Sequence, residues 1–354
     1  MERFHRNLLL KKISESGMQN AFEESLQSAL SCRKNAKEIF DFWGRYLKNR
    51  IDEEGNKNRF RKLVSVLSSS ELRECYGRTL MNTEFSSAAS FTESLNRRKR
   101  LAQLGGARHE WKVASKKIAP KFCESLGIRA PRIIHEEFSH HDLPFFRSGV
   151  LKPLGGGGSN GVFLKLVDVV IDVKEKIKYD ASNFDLKLAM HECLESGRVN
   201  CDKWFVEELV KGREVDDFFP VDLKFYTFYG KVALVLEIKR FPESKYCWWT
   251  RAGEVIDTGK YNNKHFKGKG FSTSTLKMAE LIGENIPAPF VRIDFIQGEY
   301  SCLFGEITPS PGDYDLFNVE TDTRLGEEYI LAEERLIDDL LNGKSFEVFK
   351  TFSV

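Results

Sequence analysis

The stretch at residues 289–312, PFVRIDFIQGEYSCLFGEITPSPG, decides the fold. From Val291 to Ile296 the residues alternate, with Val291, Ile293 and Phe295 on one side and Arg292 and Asp294 on the other, as the two-residue period of a strand requires. From Cys302 to Thr308 the same parity predicts Leu303, Gly305 and Ile307 on one face, with Glu306 and Thr308 on the other. Paired as an antiparallel hairpin centred near Tyr300, the segments set Asp294 opposite Glu306 and Arg292 opposite Thr308. Two carboxylates ~4 Å apart repel by ~1 kcal/mol in water and ~4 kcal/mol at the effective dielectric of a protein surface. A divalent cation reverses that sign, and hard oxygen ligands suit Mg2+, which bridges carboxylates to nucleotide phosphates. The alternative is a solvated acidic face on which Arg292 pairs with either carboxylate, at ~0–1 kcal/mol. The hairpin by itself leaves the two readings balanced.

Composition narrows the class. At 354 residues, 41% hydrophobic and 30% charged, the chain matches a globular protein with room for two or three lobes. No apolar run approaches the ~20 residues that span a bilayer, and Leu8 to Leu10 is too short for a signal-peptide core, so the expected location is the cytoplasm. The seven cysteines are odd in number, scattered and without a C-x-x-C pair, which argues against a disulfide framework and a zinc site. The histidines include the pair His140 and His141 but no metal-ligand spacing, so structural or loop roles are expected of them. Charge is uneven: up to residue 125 there are 25 Lys and Arg against 15 Asp and Glu, and 29 against 37 thereafter. A basic first third suits an acidic polymer, a membrane surface or nucleic acid, although a solvated helical surface is the commoner case. The run RRKR at 97–100, followed by Gly105 and Gly106, reads as a helix end, not as a nucleic-acid patch.

Taken along the chain, residues 1–105 read as a helical region. Apolar positions such as Phe22, Leu26, Leu30, Trp43 and Leu47 recur at helical spacing, and Gly and Pro are nearly absent. An amphipathic helix is expected over 111–126 and a short strand over 132–135. A strand at 149–153, a turn at 155–161 and a returning strand at 162–167 follow. Four consecutive glycines in that turn cost backbone entropy that a two-residue hairpin does not require, and a loop whose amides close on phosphates explains them. It is not a Walker A loop, because no G-K-[ST] follows, and not a Rossmann fingerprint, because it leads into a strand. Further on come a helix at 186–196, a strand at 204–210, a hairpin at 222–229 and 232–239 around Tyr229-Gly230, a helix at 274–282, the opening hairpin, and a closing helix at 327–341. The chain is α+β.

Three separated motifs now fall in one order: VLKPLGGGGSNGVFL, VEELVKGRE, and the R-x-D hairpin with E-x-T-P-x-P-G. Together they resemble the ATP-grasp superfamily over residues 107–340. The phrases DLKFYTFYGK and FGEIT are similar to the TupA-like, teichuronopeptide-biosynthesis branch, whose members sit among cell-surface polysaccharide genes. The resemblance implies an ATP-grasp fold of two α+β lobes, residues 106–211 and 212–354, behind the helical region. It implies that ATP and Mg2+ are bound. Lys152 would contact the α and β phosphates, with Gly156, Gly157, Gly158 and Ser159 in the loop that closes over the triphosphate. Glu207, Glu208 and Leu209 would form the hinge at the adenine edge, and Glu214 would hold the ribose. Lys224, with Lys239 or Arg240, would reach the phosphates or a substrate carboxylate, and Arg292 would stabilise the transferring phosphoryl. Asp294 and Glu306 would hold magnesium, with Thr308 where the family often has Asn. The family's Asp-Lys pair before the lysine strand reads His109-Glu110-Trp111 here, so Lys112 or Lys116 is expected to supply the second phosphate-binding lysine.

The implied reaction is carboxylate–amine ligation through an acylphosphate, joining an amino acid or amine to a small carboxylate or to an acidic saccharide or lipid-linked acceptor. It needs positioning and charge neutralisation more than a protein nucleophile. A kinase acting on a saccharide or small-molecule hydroxyl, and a non-catalytic nucleotide-binding scaffold, remain as alternatives. The sequence leaves oligomeric state open.

Overall fold

Every strand among the described residues joins one of two antiparallel sheets, and alternation along each strand decides what that sheet covers. The computed structural model describes residues 2–67, 71, 76, 89–212, 219–299 and 302–352. Contacts separate residues 1–88 from residues 89–354. In the first unit, helices α1 (Glu2–Ser16), α2 (Met18–Lys48) and α3 (Asn56–Val64) carry no strand among the described residues, as the apolar spacing predicts. Leu47, Phe60, Val64, Leu67 and Tyr76 form its core. Gly44 admits the Tyr76 ring against α2, since a Cβ there would stand 2.0 Å from the tyrosine hydroxyl.

Helix α4 (Phe91–Gln103), read from the sequence as the end of the helical region, lies in the second unit. The Ser90 hydroxyl caps it by accepting from Glu93 N at 3.1 Å. Asp322 of α8 (Val319–Leu341) accepts from Ser90 Oγ at 2.6 Å, Thr92 N at 2.9 Å and Thr92 Oγ1 at 2.7 Å. The expected closing helix began at residue 327, after Gly326; α8 instead starts at Val319, capped by Asn318. Gly326 is not a breaker there but the point where the backbone of Ser90 touches α8, 2.4 Å from the position of a Cβ. The helix expected over 111–126 is shorter, with one turn at His109–Trp111 and then α5 (Ile118–Ser125). Pro120 explains the difference: lacking an N–H, it is tolerated in the first turn of a helix and not in its interior.

The first sheet has the order β1-β6-β2-β3-β4-β5. Its strands are β1 (Ile133–Phe138), β2 (Gly149–Pro153), β3 (Phe163–Lys165), β4 (Val169–Asp172), β5 (Ile177–Asp180) and β6 (Trp204–Glu207). The β4–β5 hairpin was not legible beforehand. One face packs Leu151, Phe163, Trp204 and Val206 against helix α6 (Leu186–Glu195), and the other carries a small apolar patch of Val150, Leu164 and Ile171.

The second sheet has the order β11-β10-β7-β8-β9. It comprises β7 (Val221–Phe228), β8 (Lys231–Lys239), β9 (Lys245–Thr250), β10 (Val291–Gln297) and β11 (Cys302–Thr308). Tyr229 and Gly230, both at positive φ, make the β7–β8 turn, the geometry a two-residue hairpin favours. Phe225, Ile293 and Phe295 enter one core with α5, α8 and helix α7 (Thr273–Glu284). The opposite face of β7, β10 and β11 carries the polar residues.

Candidate active site

Because β7, β10 and β11 lie side by side, residues of like parity on the three strands form rows across one face. Asp294 lies opposite Lys224 of β7 and Glu306 of β11, and Arg292 opposite Tyr226 and Thr308. The expected hairpin register therefore holds at all four positions. It slips by one residue immediately afterwards: Phe295 pairs with Phe304, leaving Gly305 unpaired as a bulge. The core face of β11 is thus carried by Phe304 and Ile307, not by the Leu303, Gly305 and Ile307 of strict alternation. Tyr300, the expected centre of the turn, lies outside the described residues.

Arg292 grips Asp294 with two bonds, Nε to Oδ1 and Nη2 to Oδ2, both at 2.7 Å. The same Nη2 reaches Thr308 Oγ1 at 3.0 Å and Glu306 Oε1 at 3.2 Å, and the Thr308 hydroxyl donates to Glu306 Oε1 at 2.9 Å. Lys224 Nζ is a second cation on Asp294. Arg292, Asp294 and Lys224 are buried, whereas the Glu306 side chain is 51% exposed. Burial alone would raise the Asp294 pKa, but the Arg292 and Lys224 charges overcome it and hold the carboxyl well below the usual range. Burial likewise disfavours the Arg292 cation, and Asp294 outweighs it. Burial pushes the Tyr226 hydroxyl up to about 12. The row therefore has an ionised aspartate at its centre and a solvent-facing glutamate at its edge.

That donor set fits magnesium. Mg2+ keeps several waters and takes one or two protein carboxylates, so Asp294 and Glu306 would be enough to hold it, with Thr308 Oγ1 as a third hard oxygen, in exchange for contacts that Arg292 and Lys224 now make to Asp294. Among the described residues no group of three or more His, Cys, Asp or Glu could hold a metal ion.

The residues expected at a triphosphate lie in and around β2 of the first sheet. Lys152 of β2, expected at the phosphates, forms an ion pair with Glu207 of the neighbouring β6, expected at the adenine edge. Lys116 Nζ donates to Pro153 O at 2.7 Å. Burial first, and then repulsion from Lys152, lower the Lys116 pKa, while Glu306 and Glu207 oppose the shift. Lys116 is thus half-buried against the end of β2, whereas Lys112 is exposed. Lys116→Met should weaken binding of a nonhydrolysable ATP analogue by ~10-fold, the cost of one charge-assisted hydrogen bond, and Lys112→Met should change it less than about twofold. Calorimetric titration of both variants measures this, and the reverse order would give the second phosphate contact to Lys112.

In the loop, Gly156, Gly158 and Ser159 take positive φ. Gly161 does so too and closes over Val199 and Trp204, which would lie 2.6 and 3.1 Å from a Cβ. Gly157 faces open space. Leu209, Phe219 and Phe241 pack on the apolar patch of the first sheet, with the two phenylalanine rings stacked at 4.3 Å. Beside them a cleft of about 560 Å³ is lined by Arg132, Ser148, Leu166, Glu208 and Leu209. Glu208 Oε1 accepts from Arg132 N at 3.0 Å. Glu214 lies outside the described residues. Arg240 pairs with Asp222, which raises its pKa against burial, and it also feels Asp294 and Glu306.

Two buried residues near these strands escaped the sequence reading. Tyr226 stands on the Lys224 face by simple alternation, a signal that was available. Lys260 lies in the irregular segment after β9, where no periodicity marks it.

A family profile described as TupA-like ATPgrasp matches residues 93–330. Among solved structures, D-alanine–D-alanine ligase from Bacillus anthracis complexed with ATP is 16% identical, over 68% of this chain and 75% of that one, at a TM-score of 0.39. The ATP-grasp ligase PsnB, complexed with a phosphomimetic variant of its minimal precursor, Mg and ADP, is 13% identical over 66% of this chain and 64% of that one, at 0.36. D-Alanine–D-alanine ligase from Helicobacter pylori is 16% identical over 62% of this chain, at 0.35, and the match spans 58% of that enzyme. Among curated proteins no relative matches. With its profile match covering most of the chain and its two antiparallel sheets carrying the glycine loop and the R-x-D hairpin, the chain belongs to the TupA-like ATP-grasp family.

Proposed function

We propose that the protein is an ATP-dependent carboxylate–amine ligase. The observation that carries this reading is the buried Arg292–Asp294–Lys224 cluster with Glu306 at its exposed edge. In the first step a carboxylate oxygen of the acid attacks the γ-phosphorus and ADP leaves, forming an acylphosphate. In the second, the amine attacks the acyl carbon, phosphate leaves, and the nitrogen loses a proton. Lys152 and Lys116 hold the nucleotide phosphates, Lys224 and Arg292 offset the charge that spreads over the transferring group, and the 155–161 loop excludes water from the acylphosphate. Mg2+ held by Asp294 and Glu306 would supply charge neutralisation at the phosphates. Glu207, Glu208 and Leu209 are proposed for the adenine edge, Glu214 for the ribose, and lobes at 106–211 and 212–354 for the two sides of the nucleotide.

ATP dependence suits a cytoplasmic site of action, and no helix among the described residues is long and apolar enough to cross a membrane. An acceptor from surface-polysaccharide synthesis rests on family resemblance alone. The test is ADP release in the presence of candidate acids and amines. Release should need both partners, stop with a chelator and return with Mg2+. A stable phosphoryl product from a single hydroxyl acceptor, with no amine required, would replace ligase by kinase.

A further inference from the structure

The first unit keeps few of its large apolar side chains inside. Leu47, Phe60, Val64, Leu67 and Tyr76 make its core, while Ile39, Phe42, Trp43 and Tyr46 of α2 stand at the surface. Those four recur at i, i+3, i+4 and i+7, so they share one face of the helix. Gly44 and Leu47 take the core side. Phe42 is 58% exposed and Trp43 46%, yet the rings are grouped: centroids lie 5.4 Å apart for Phe42 and Trp43, 5.9 Å for Phe42 and Tyr46, and 5.7 Å for Trp43 and Tyr46. Arg50 borders the cluster, its guanidinium carbon 4.2 Å from the centre of the Tyr46 ring. Exposed apolar residues scattered singly need no explanation, whereas a contiguous cluster of aromatic rings marks a contact surface.

The surrounding charge identifies the partner. From Arg33 to Arg50 there are six Lys and Arg against two acids, Glu38 and Asp41. Arg33, Lys37 and Arg45 are exposed, and Glu38 is answered by Lys34 at 4.0 Å. A helix is about 10 Å across, close to the Debye length of ~8–10 Å, so cations on its flanks and far side still feel a charged surface that its aromatic face touches. A positive helix carrying Trp, Tyr and Phe combines the two attractions of an anionic lipid surface: rings that settle at headgroup depth and cations drawn to negative lipid. A second copy of α2 fits less well. One, two and three turns before Ile39 the same face carries Asn35, Cys32 and Ser28, so the apolar stripe is far shorter than the ~3–4 heptads of a coiled-coil seam. No helix among the described residues is long and apolar enough to cross a bilayer, so the contact is one of lying on the surface.

We propose that the Ile39–Tyr46 face of α2 docks on a membrane surface bearing anionic lipid, with Phe42, Trp43 and Tyr46 in the headgroup layer and Arg45 and Arg50 at the rim of the contact. This goes beyond the ligase reading and holds whether the second unit is a ligase or a kinase.

The experiment measures co-sedimentation of the full chain with vesicles of phosphatidylcholine alone and of phosphatidylcholine mixed with an equal part of phosphatidylglycerol. Binding to the mixed vesicles should be ~10-fold or more stronger and should fall as salt is raised. Phe42→Ser combined with Trp43→Ser should weaken it by ~10-fold or more, while the unfolding transition and the affinity for an ATP analogue stay as in the wild type, since both side chains lie outside the core. Arg45→Gln combined with Arg50→Gln should weaken it by ~5-fold or more and flatten the salt response. Mixed vesicles should also shift the tryptophan emission to the blue, and Trp43→Phe should remove that shift. Equal binding to both kinds of vesicle, or none, overturns the proposal, as does binding that survives the paired serine substitutions. A wild type that dimerises and binds no vesicle, with the serine variant monomeric, gives the face to a second copy and likewise overturns it.

Discussion

Replacing Asp294 with alanine is expected to abolish Mg2+-dependent ATP turnover and to destabilise the protein by about 3–5 kcal/mol, because it strands Arg292 and Lys224 as buried cations without their common anion. Glu306→Ala is the informative contrast. Its side chain is half exposed, so stability should change by no more than about 1 kcal/mol, while turnover is lost to the same degree. Denaturant titration and ADP release on the two variants separate architecture from chemistry. The pH behaviour follows from the direction of the Asp294 shift. A carboxyl held below its ordinary value contributes stability that is complete above the ordinary range and drains away progressively as pH falls from the ordinary value through the lowered one. The cost of Asp294→Ala should therefore be constant from about pH 5 upward and shrink in stronger acid. Wild-type turnover in both variants would end the catalytic reading.

Arg292→Met is expected to lower kcat by about two to three orders of magnitude, the range found when one preorganised donor to a developing charge is removed, with ATP affinity changed only a few-fold. Stability should suffer less than in Asp294→Ala, since Lys224 still neutralises the aspartate. Arg292→Lys should not restore activity: an ammonium cannot span Asp294, Glu306 and Thr308 at once as the planar guanidinium does. Steady-state kinetics with direct measurement of nucleotide binding tests this. If ATP affinity falls as far as kcat, Arg292 acts by holding the metal-binding strands in place and not on the transferring group.

Much of the site was legible because a strand's period is two. Once Arg292 and Asp294 shared a face, their partners across the hairpin followed, and the register is the one found. The same rule failed at the very next pair, where Gly305 drops out of the ladder as a bulge; strict alternation has no term for an inserted residue. Helix ends were misplaced for opposite reasons. Pro120 is a local stop that outweighs amphipathic spacing, while Gly326 looks like a local stop and is a packing contact for Ser90, 232 residues before the aspartate that ties Ser90 to α8. The short β4 and β5 escaped because four-residue strands carry too little pattern to stand out from a loop.

By itself the sequence determined the alternation that pairs Asp294 with Glu306, the glycine loop, the order of the motifs and hence the family, since each is a property of neighbouring residues or of their linear order. Only the tertiary structure decided that Lys116 stands by Lys152, that Lys224 shares Asp294 with Arg292, that α4 docks on α8, and that Lys260 is buried beside the loop leaving β11. These are contacts between segments tens to hundreds of residues apart, and which of many lysines meets a given carboxylate is set by how sheets and helices pack, a choice that no local period encodes.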